Sequence, residues 1–118
     1  MSIIVFQYPN CSTCRKALKW LDARGLEYET VHLVEDTPTA TALHDLWSRS
    51  GLPVRKFFNT SGKIYRSQDF KTRLQTMSDE AAFEALSSEG MLIKRPILDA
   101  GEHVLVGFKE AEWADTLS

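Results

Sequence analysis

Residues 3–17 read IIVFQYPNCSTCRKA, an apolar run followed by a turn and by two cysteines with two residues between them. Ile3 to Gln7 is short and rich in β-branched residues, which predicts a buried strand. Tyr8-Pro9-Asn10 predicts a tight turn at the end of that strand. From Ser12 to Arg24 the apolar residues recur at the spacing of a helix, and Gly25 is a typical stop signal. The cysteine pair therefore stands where the first strand turns into the first helix.

The rest of the chain continues with helix and strand patterns. A strand is predicted at Tyr28 to Leu33, and Thr37-Pro38 opens a helix with Leu43, Leu46 and Trp47 on its buried face. Short helical pieces follow at Val54 to Phe58 and Gln68 to Gln75, and Ser78 caps the next helix. Two strands at Met91 to Leu98 and His103 to Phe108 and a last helix at Glu110 to Leu117 complete the chain.

This order of elements predicts the fold class. A strand, a helix and a strand in succession imply a parallel pair, whereas the late hairpin adds antiparallel strands. We therefore predict an α/β protein with a mixed four-stranded sheet and a helical insertion after the second strand, which is a thioredoxin-like plan. No linker or repeat divides the chain, so residues 1–118 are expected to form a single domain.

The composition limits the class of protein. Of 118 residues, 43% are hydrophobic, and 14 basic and 16 acidic side chains leave a formal charge of −2. No Lys/Arg block is typical of nucleic-acid binding, no apolar stretch has the length of a membrane span, and the N-terminus lacks a signal-peptide pattern. These features predict a cytoplasmic protein, monomeric by default, that binds neither nucleic acid directly nor a membrane.

The motif Cys11-Ser12-Thr13-Cys14 predicts redox or nucleophilic chemistry. Because a helix N-terminus favours anions, the first backbone N–H groups of the helix and the charge of Arg15 would stabilise a thiolate at Cys11. The same groups at Ser12 and Thr13 would hold a substrate anion. Cys14, one turn into the helix, is the predicted resolving thiol. Two alternatives stay open: zinc ligation, for which the sequence offers no second ligand pair, and inert packing of small apolar side chains.

Lys94-Arg95-Pro96 is a second motif of functional interest, at the start of the late hairpin. An X-Pro bond at a strand start can be cis, which would aim the Arg95 side chain at one particular place. The planar guanidinium of arginine binds oxyanions. The alternative is an edge-strand proline beside a solvated arginine.

Four segments carry a resemblance to a known family: Tyr8 to Ala17, Phe57 to Gly62, Leu92 to Ile97 and Val106 to Phe108. Together they resemble the glutaredoxin-dependent arsenate reductases (ArsC) and their relatives, which include the redox-sensing regulator Spx. The resemblance covers almost the whole chain and implies a thioredoxin-like fold with a helical insert. It also implies that Cys11 is the catalytic cysteine and that Arg95, with Pro96 beside it, belongs to the substrate site.

The chain differs from the arsenate reductases at several positions, among them Gln7, where well-studied reductases have a histidine. Asn59 and Phe108 stand where the family has its other two oxyanion-binding arginines, so the resemblance implies weakened arsenate binding, with Asn59 left as a hydrogen-bond donor to the substrate. Cys14 stands where glutathione-dependent reductases usually have serine, whereas Spx has the same cysteine pair. The sequence is therefore similar to the arsenate-reductase-like subgroup with a CxxC motif.

Two functions follow from these residues and from the resemblance. In the first, the chain is a thiol-dependent oxidoreductase whose Cys11 attacks a small oxyanion, a disulfide or a glutathione adduct. It would have no tightly bound cofactor and would use glutathione, glutaredoxin or thioredoxin as the reductant. In the second, the pair of Cys11 and Cys14 is a sensor whose oxidation changes the affinity for a protein partner. The resemblance to Spx implies that this partner is the α subunit of RNA polymerase.

Overall fold

The computed structural model describes residues 2–118 as four strands and six α-helices. The strands are β1 (Ile4–Gln7), β2 (Glu29–His32), β3 (Ile97–Asp99) and β4 (Val104–Val106). The helices are α1 (Ser12–Ala23), α2 (Ala40–Ser50), α3 (Lys63–Ser67), α4 (Phe70–Arg73), α5 (Asp79–Ser88) and α6 (Glu110–Leu117), and 3₁₀ turns lie at Val54–Phe57 and Gly90–Leu92. Within residues 2–118, no helix has both the length and the apolar character needed to cross a bilayer.

The strands form one mixed sheet in the order β2-β1-β3-β4. Strand β1 pairs in parallel with β2, with Val5 opposite Thr30, and antiparallel with β3, with Val5 opposite Leu98. Strands β3 and β4 form the expected antiparallel hairpin. The sheet and the helices α2–α5 that follow β2 confirm the expected α/β, thioredoxin-like architecture with a helical insertion.

Two hydrophobic layers cover the two faces of the sheet. Val5 and Phe6 are neighbours in β1, and they pack into opposite layers because side chains alternate along a strand. In what we call the α1–α6 layer, Leu21 and Trp113 pack on the sheet. The insertion layer contains more buried side chains, among them Leu33, Leu43, Leu46, Phe57, Phe58, Phe70, Phe83, Leu86, Leu92 and Ile93. Strand β1, between the layers, leads directly to the cysteine motif.

The segment before β3 differs from the sequence prediction, which was wrong in starting a strand at Met91. The residues in question pair with another part of the chain. The Asn59 N–H donates to the Leu92 carbonyl at 2.8 Å. The Lys94 N–H donates to the Phe57 carbonyl, also at 2.8 Å. The segment that follows α2 is therefore joined to the segment that follows α5, just before the hairpin begins.

Helix α2 also begins later than predicted. The Thr37 hydroxyl donates to the Leu33 carbonyl at 2.7 Å, which closes the turn after β2 instead of starting a helix. Thr39 is the cap of α2, since its hydroxyl oxygen accepts the N–H of Ala42 at 3.1 Å. The predicted cap of α5, Ser78, is confirmed by the equivalent hydrogen bond to its own helix. Helix α3 lies in a stretch for which no helix was predicted.

Candidate functional site

The first turn of α1 holds the cysteine pair. Cys11 is the N-cap residue: its backbone is extended, and its Sγ accepts the N–H of Cys14 at 3.2 Å. The Cys11 N–H donates to the Tyr8 carbonyl at 3.1 Å, which fixes the turn after β1. A sulfur at this position lies at the partly positive end of the helix. Both cysteines are free, with Cys11 half-buried and Cys14 fully buried.

The surroundings of Cys14 raise the pKa of its thiol to about 12, and burial is the largest cause. The hydrogen bond and the negative charge of Cys11 also raise this pKa, whereas a backbone hydrogen bond from Tyr8 and the charge of Arg95 lower it. Cys14 therefore keeps its proton at neutral pH.

Arg95 lies beside this turn and is restrained by the chain that precedes it. The Arg95–Pro96 peptide bond is cis. The guanidinium donates from Nη1 to the Met91 carbonyl at 3.2 Å and to the Ile93 carbonyl at 3.3 Å. Its Cζ lies 5.4 Å from the centre of the Tyr8 ring, within the range of a cation–π contact. The positive charge is thus held near the cysteines, as its effect on the buried thiol indicates.

A cleft of about 390 Å³ opens beside the first turn of α1. Thr13 and Arg95 line it next to the cysteines, and Leu52, Val106 and Phe108 give it an apolar wall. Its other charged residues are Lys56, Lys94, Lys109 and Glu112. An anionic group bound beside Cys11 would therefore meet several cations and an apolar surface.

Three further residues of the motif region were predicted to bind substrate. Ser12 and Thr13 are exposed, and Thr13 lines the cleft. Arg15 is engaged elsewhere, because its Nη1 donates to the Pro9 carbonyl at 2.8 Å. It therefore holds the turn that precedes Cys11, and its guanidinium is directed at the backbone.

Asn59 and Phe108, the positions where the resemblance implies arginines in other members, make local contacts. The Ser61 hydroxyl donates to Asn59 Oδ1 at 3.3 Å, so this carboxamide faces its own turn, and Asn59 is absent from the described residues that line the cleft. Phe108 packs edge-on against Trp113, with 5.0 Å between ring centres. Pro96 is buried, and its carbonyl accepts a hairpin N–H. The structure brings Cys11, Cys14, Thr13 and Arg95 together and leaves Asn59 apart.

Sequence reasoning missed two charged residues of the cleft. Lys56 reaches it from the 3₁₀ turn after α2, and Glu112 reaches it from α6, where its carboxylate lies 3.7 Å from the Lys109 ammonium. A signal for Lys56 was present: residues 54–75 contain six basic side chains and one acidic side chain. The overall charge of −2 hides this local excess.

His32 contributes to the support of the site. Its Nδ1 accepts the N–H groups of Val34 at 3.1 Å and Glu35 at 3.0 Å. Its ring meets the Tyr8 ring edge-on at 5.6 Å. His32 thereby holds the aromatic ring against which Arg95 lies. Among residues 2–118, no three His, Cys, Asp or Glu side chains are grouped closely enough to hold a metal ion.

The chain is similar to known proteins over nearly all of its length. Residues 6–116 match the ArsC family. The uncharacterized protein YusI of Bacillus subtilis is 47% identical over 115 residues, which are 98% of each chain. Regulatory protein MgsR of the same organism is 30% identical over 110 residues, which are 91% of this chain and 83% of MgsR.

The chain is also similar to a solved structure. The crystal structure of an ArsC family related protein from Bacteroides fragilis matches with a TM-score of 0.93 and 44% identity, covering 98% of both chains.

More distant relatives by sequence are named arsenate reductase, at 26% identity in Haemophilus influenzae and 27% in Neisseria meningitidis. Others are named Spx regulators, at 20–22% identity.

Proposed function

The chain belongs to the ArsC family, and from this premise we propose that it is a thiol–disulfide redox protein in which Cys11 is the nucleophile and Cys14 is the resolving thiol. One observation carries the proposal: Cys11 Sγ lies half-exposed at the N-terminus of α1, 3.2 Å from the backbone N of a buried second cysteine. Inert packing would not leave a sulfur at an anion-stabilising helix end.

The proposed reaction with a disulfide has two steps. The Cys11 thiolate attacks one sulfur of the substrate R–S–S–R′, forms a mixed disulfide with R and releases R′S⁻, which takes a proton from water. Cys14 then loses its proton, attacks the Cys11 sulfur and releases RS⁻, which takes up a proton, so that the proton lost by Cys14 is balanced by the one gained on RSH. The two cysteines lose two electrons and the substrate gains two. The product is a disulfide between Cys11 and Cys14.

The environment of Cys14 supports this order of events. Burial raises its pKa, and so do the hydrogen bond and the charge of Cys11. Once Cys11 carries a mixed disulfide, its negative charge is gone, while the opposing charge of Arg95 remains. The pKa of Cys14 then falls while the contribution of burial, its largest cause, remains, so Cys14 loses its proton more readily after Cys11 has reacted than before.

The substrate and the reductant form the finer part of the proposal. Arg95, the lysines of the cleft and the exposed start of α1 suit an anionic thiol or disulfide. We propose that glutathione, glutaredoxin or thioredoxin reduces the Cys11–Cys14 disulfide, with no cofactor bound tightly. Asn59 and Phe108 make arsenate a poor substrate, because neither can replace the bidentate fork of an arginine.

Intact mass spectrometry of wild type, Cys11→Ser and Cys14→Ser tests this proposal. Each reduced protein is treated with oxidised glutathione. We expect wild type to lose two hydrogens, Cys14→Ser to accumulate a glutathione adduct on Cys11, and Cys11→Ser to stay unmodified. A parallel treatment of wild type with arsenate and reduced glutathione is expected to release no arsenite above background.

Two outcomes of this experiment would contradict the proposal. Equal adduct formation in Cys11→Ser and Cys14→Ser would remove the assignment of separate roles. Free thiols in all three proteins would leave only inert packing of the pair.

A redox-sensing regulator is the second candidate function, favoured by the 30% identity to regulatory protein MgsR over most of the chain. In this case the disulfide would alter the first turn of α1 and thereby the binding of the RNA polymerase α subunit. The test is binding of purified α subunit to reduced protein, oxidised protein and Cys14→Ser. A regulator should bind in a way that depends on oxidation in wild type and not in the variant. Equal binding in all three states would reject this candidate.

A further inference from the structure

One stretch of the insertion, residues 54–75, is strongly basic and exposed at its charged positions. Its six basic residues are Arg55, Lys56, Lys63, Arg66, Lys71 and Arg73, and we call them the cationic face. All six are exposed, and within residues 2–118 none of them forms a salt bridge. The one acidic residue of this stretch, Asp69, accepts a hydrogen bond from the Thr72 hydroxyl at 3.1 Å. Within residues 2–118, these six positive charges are therefore not neutralised by ion pairs.

The cationic face is continuous with the thiol site. The 3₁₀ turn Val54–Phe57 places consecutive basic residues in two depressions. Lys56 lines the cleft beside Thr13 and Arg95. Arg55 lines a second depression of about 610 Å³, together with Lys71 and Tyr65. Phe57 is fully buried beneath the turn, so the spacing of the two depressions is fixed by the core.

We propose that the cationic face docks an acidic protein segment and delivers its cysteine to Cys11. The inference rests on the proposed thiol–disulfide function and names the class of partner that this function serves. The partner brings a disulfide, Cys11 attacks one of its sulfurs and expels the other as a thiolate, and Cys14 then releases the partner's cysteine in reduced form. The two electrons come from the Cys11 and Cys14 thiols.

A protein fits this surface better than a nucleic acid does. The cationic face extends to the cleft beside the Cys11 thiol, and a nucleic acid has no sulfur for that thiol to attack. The cleft at the end of the face also has an apolar wall at Leu52, Val106 and Phe108, which suits the side chains of a peptide. The overall charge of −2 does not attract a polyanion from a distance, whereas a local patch orients an acidic partner at short range.

The test compares two synthetic peptides with the same central cysteine, held as a mixed disulfide with neutral 2-thiopyridine. The cysteine is flanked by aspartates in one peptide and by lysines in the other. Absorbance of the released thiopyridone gives the rate of attack by reduced protein. At low salt we expect the acidic peptide to react about 10–100 times faster than the basic one. In molar salt the two rates should agree within about twofold, because the Debye length is then only about 3 Å.

Charge reversal locates the effect. Arg55→Glu/Lys71→Glu should lower the rate with the acidic peptide at least about tenfold and leave the rate with neutral 2,2′-dithiodipyridine unchanged. The matched control, Lys19→Glu/Arg24→Glu on α1, has the same change in net charge and should keep most of the preference. A large loss in this control would mean that net charge alone sets the rate, and would overturn the docking proposal.

The remaining outcomes separate this inference from the proposed function. Equal rates for both peptides, with fast reaction of 2,2′-dithiodipyridine, would overturn the docking proposal and keep the thiol chemistry. No reaction with 2,2′-dithiodipyridine would overturn the thiol chemistry itself. Tighter binding of a fluorescein-labelled DNA duplex than of the acidic peptide, lost in Arg55→Glu/Lys71→Glu, would assign the face to a nucleic acid instead.

Discussion

The two hydrophobic layers contribute different residues to the same cleft: one positions the cysteine pair, and the other supplies basic side chains. The α1–α6 layer consists of two helices, and it positions Cys11 and Cys14 through the local geometry of one turn. The insertion layer consists of several short helical pieces with a larger set of buried side chains, and it supplies Lys56 and the rest of the cationic face. Reactivity is therefore built from neighbouring residues, whereas recognition depends on packing between distant parts of the chain.

Removing one large side chain from each layer gives the strongest test of this division. Trp113→Ala and Phe83→Ala should each lower the free energy of unfolding by about 3–5 kcal/mol, because both side chains are almost fully buried. Trp113 also packs on Phe108 and donates from Nε1 to the Gly107 carbonyl at 3.0 Å. We therefore expect slower thiol exchange with 2,2′-dithiodipyridine in Trp113→Ala only. Urea unfolding and the exchange rate measure the two effects, and an equal slowing in Phe83→Ala would contradict the division.

Two glycines extend the comparison with a smaller effect. A Cβ on Gly90 would collide with the Leu33 carbonyl, which belongs to backbone and cannot move aside. Gly25 has a φ of +67° but open space around it. Gly90→Ala should therefore cost about 2–3 kcal/mol through overpacking of the insertion layer, and Gly25→Ala only about 1 kcal/mol through backbone strain. Urea unfolding of the two variants measures the difference, and the reverse order would contradict this reading of the insertion.

The smallest expected effect concerns the ion pair that connects the insertion to the hairpin. Arg49 of α2 donates from Nη1 to Asp99 Oδ1 at 2.6 Å and to the Gly101 carbonyl at 2.6 Å. Burial alone would raise the pKa of Asp99, but the hydrogen bonds from Arg49 and the Gly101 N–H, with the Arg49 charge, hold it below its usual value of 3.8. A lowered pKa stabilises the folded state above that value and ceases to do so as the pH falls below it.

Asp99→Asn should accordingly cost about 1 kcal/mol at pH 7, since the ion pair with Arg49 is lost and one of the two acceptor oxygens is replaced by an amide N–H donor. The difference between wild type and Asp99→Asn should shrink as the pH falls through and below 3.8. Urea unfolding at pH 7 and at pH 3 measures this change. A difference that stays constant between the two pH values would mean that the Asp99 charge contributes nothing to the connection.

The sequence predicted the parts of the fold that depend on local chemistry. The β-branched run before the cysteines, the helical spacing after them and the Ser78 cap of α5 are all found in the structure. The strand predicted to start at Met91 begins only at Ile97, because residues 92–94 pair with residues 57–59. An apolar run has the same pattern whichever partner it meets, so only the tertiary structure identifies that partner.

In the candidate site, too, the features set by local sequence were predictable and those set by tertiary packing were not. The closeness of Cys11 and Cys14 follows from their spacing at a helix start, and it was predictable. The positions of Lys56 and Glu112 in the cleft were not, because they lie in elements that are distant from the motif in the chain. The contacts of Arg15 with the Pro9 carbonyl and of Phe108 with Trp113 were also beyond prediction, since side-chain partners depend on the packed backbone.

Residues 57–59 pair with residues 92–94, just before Arg95. Because of this pairing, the position of Arg95 does not depend on the length of the segment between the paired residues. The pairing closes a large loop that contains α3, α4 and α5, and the entropy of closing such a loop grows only slowly with its length. Residues can therefore be inserted in the exposed turns between α3, α4 and α5 by protein engineering without moving Arg95. A change in the residue count between Ile93 and Pro96 would displace the guanidinium at once. Changes of binding specificity can therefore be introduced in these turns while the positions of Arg95 and of the cysteine pair stay the same.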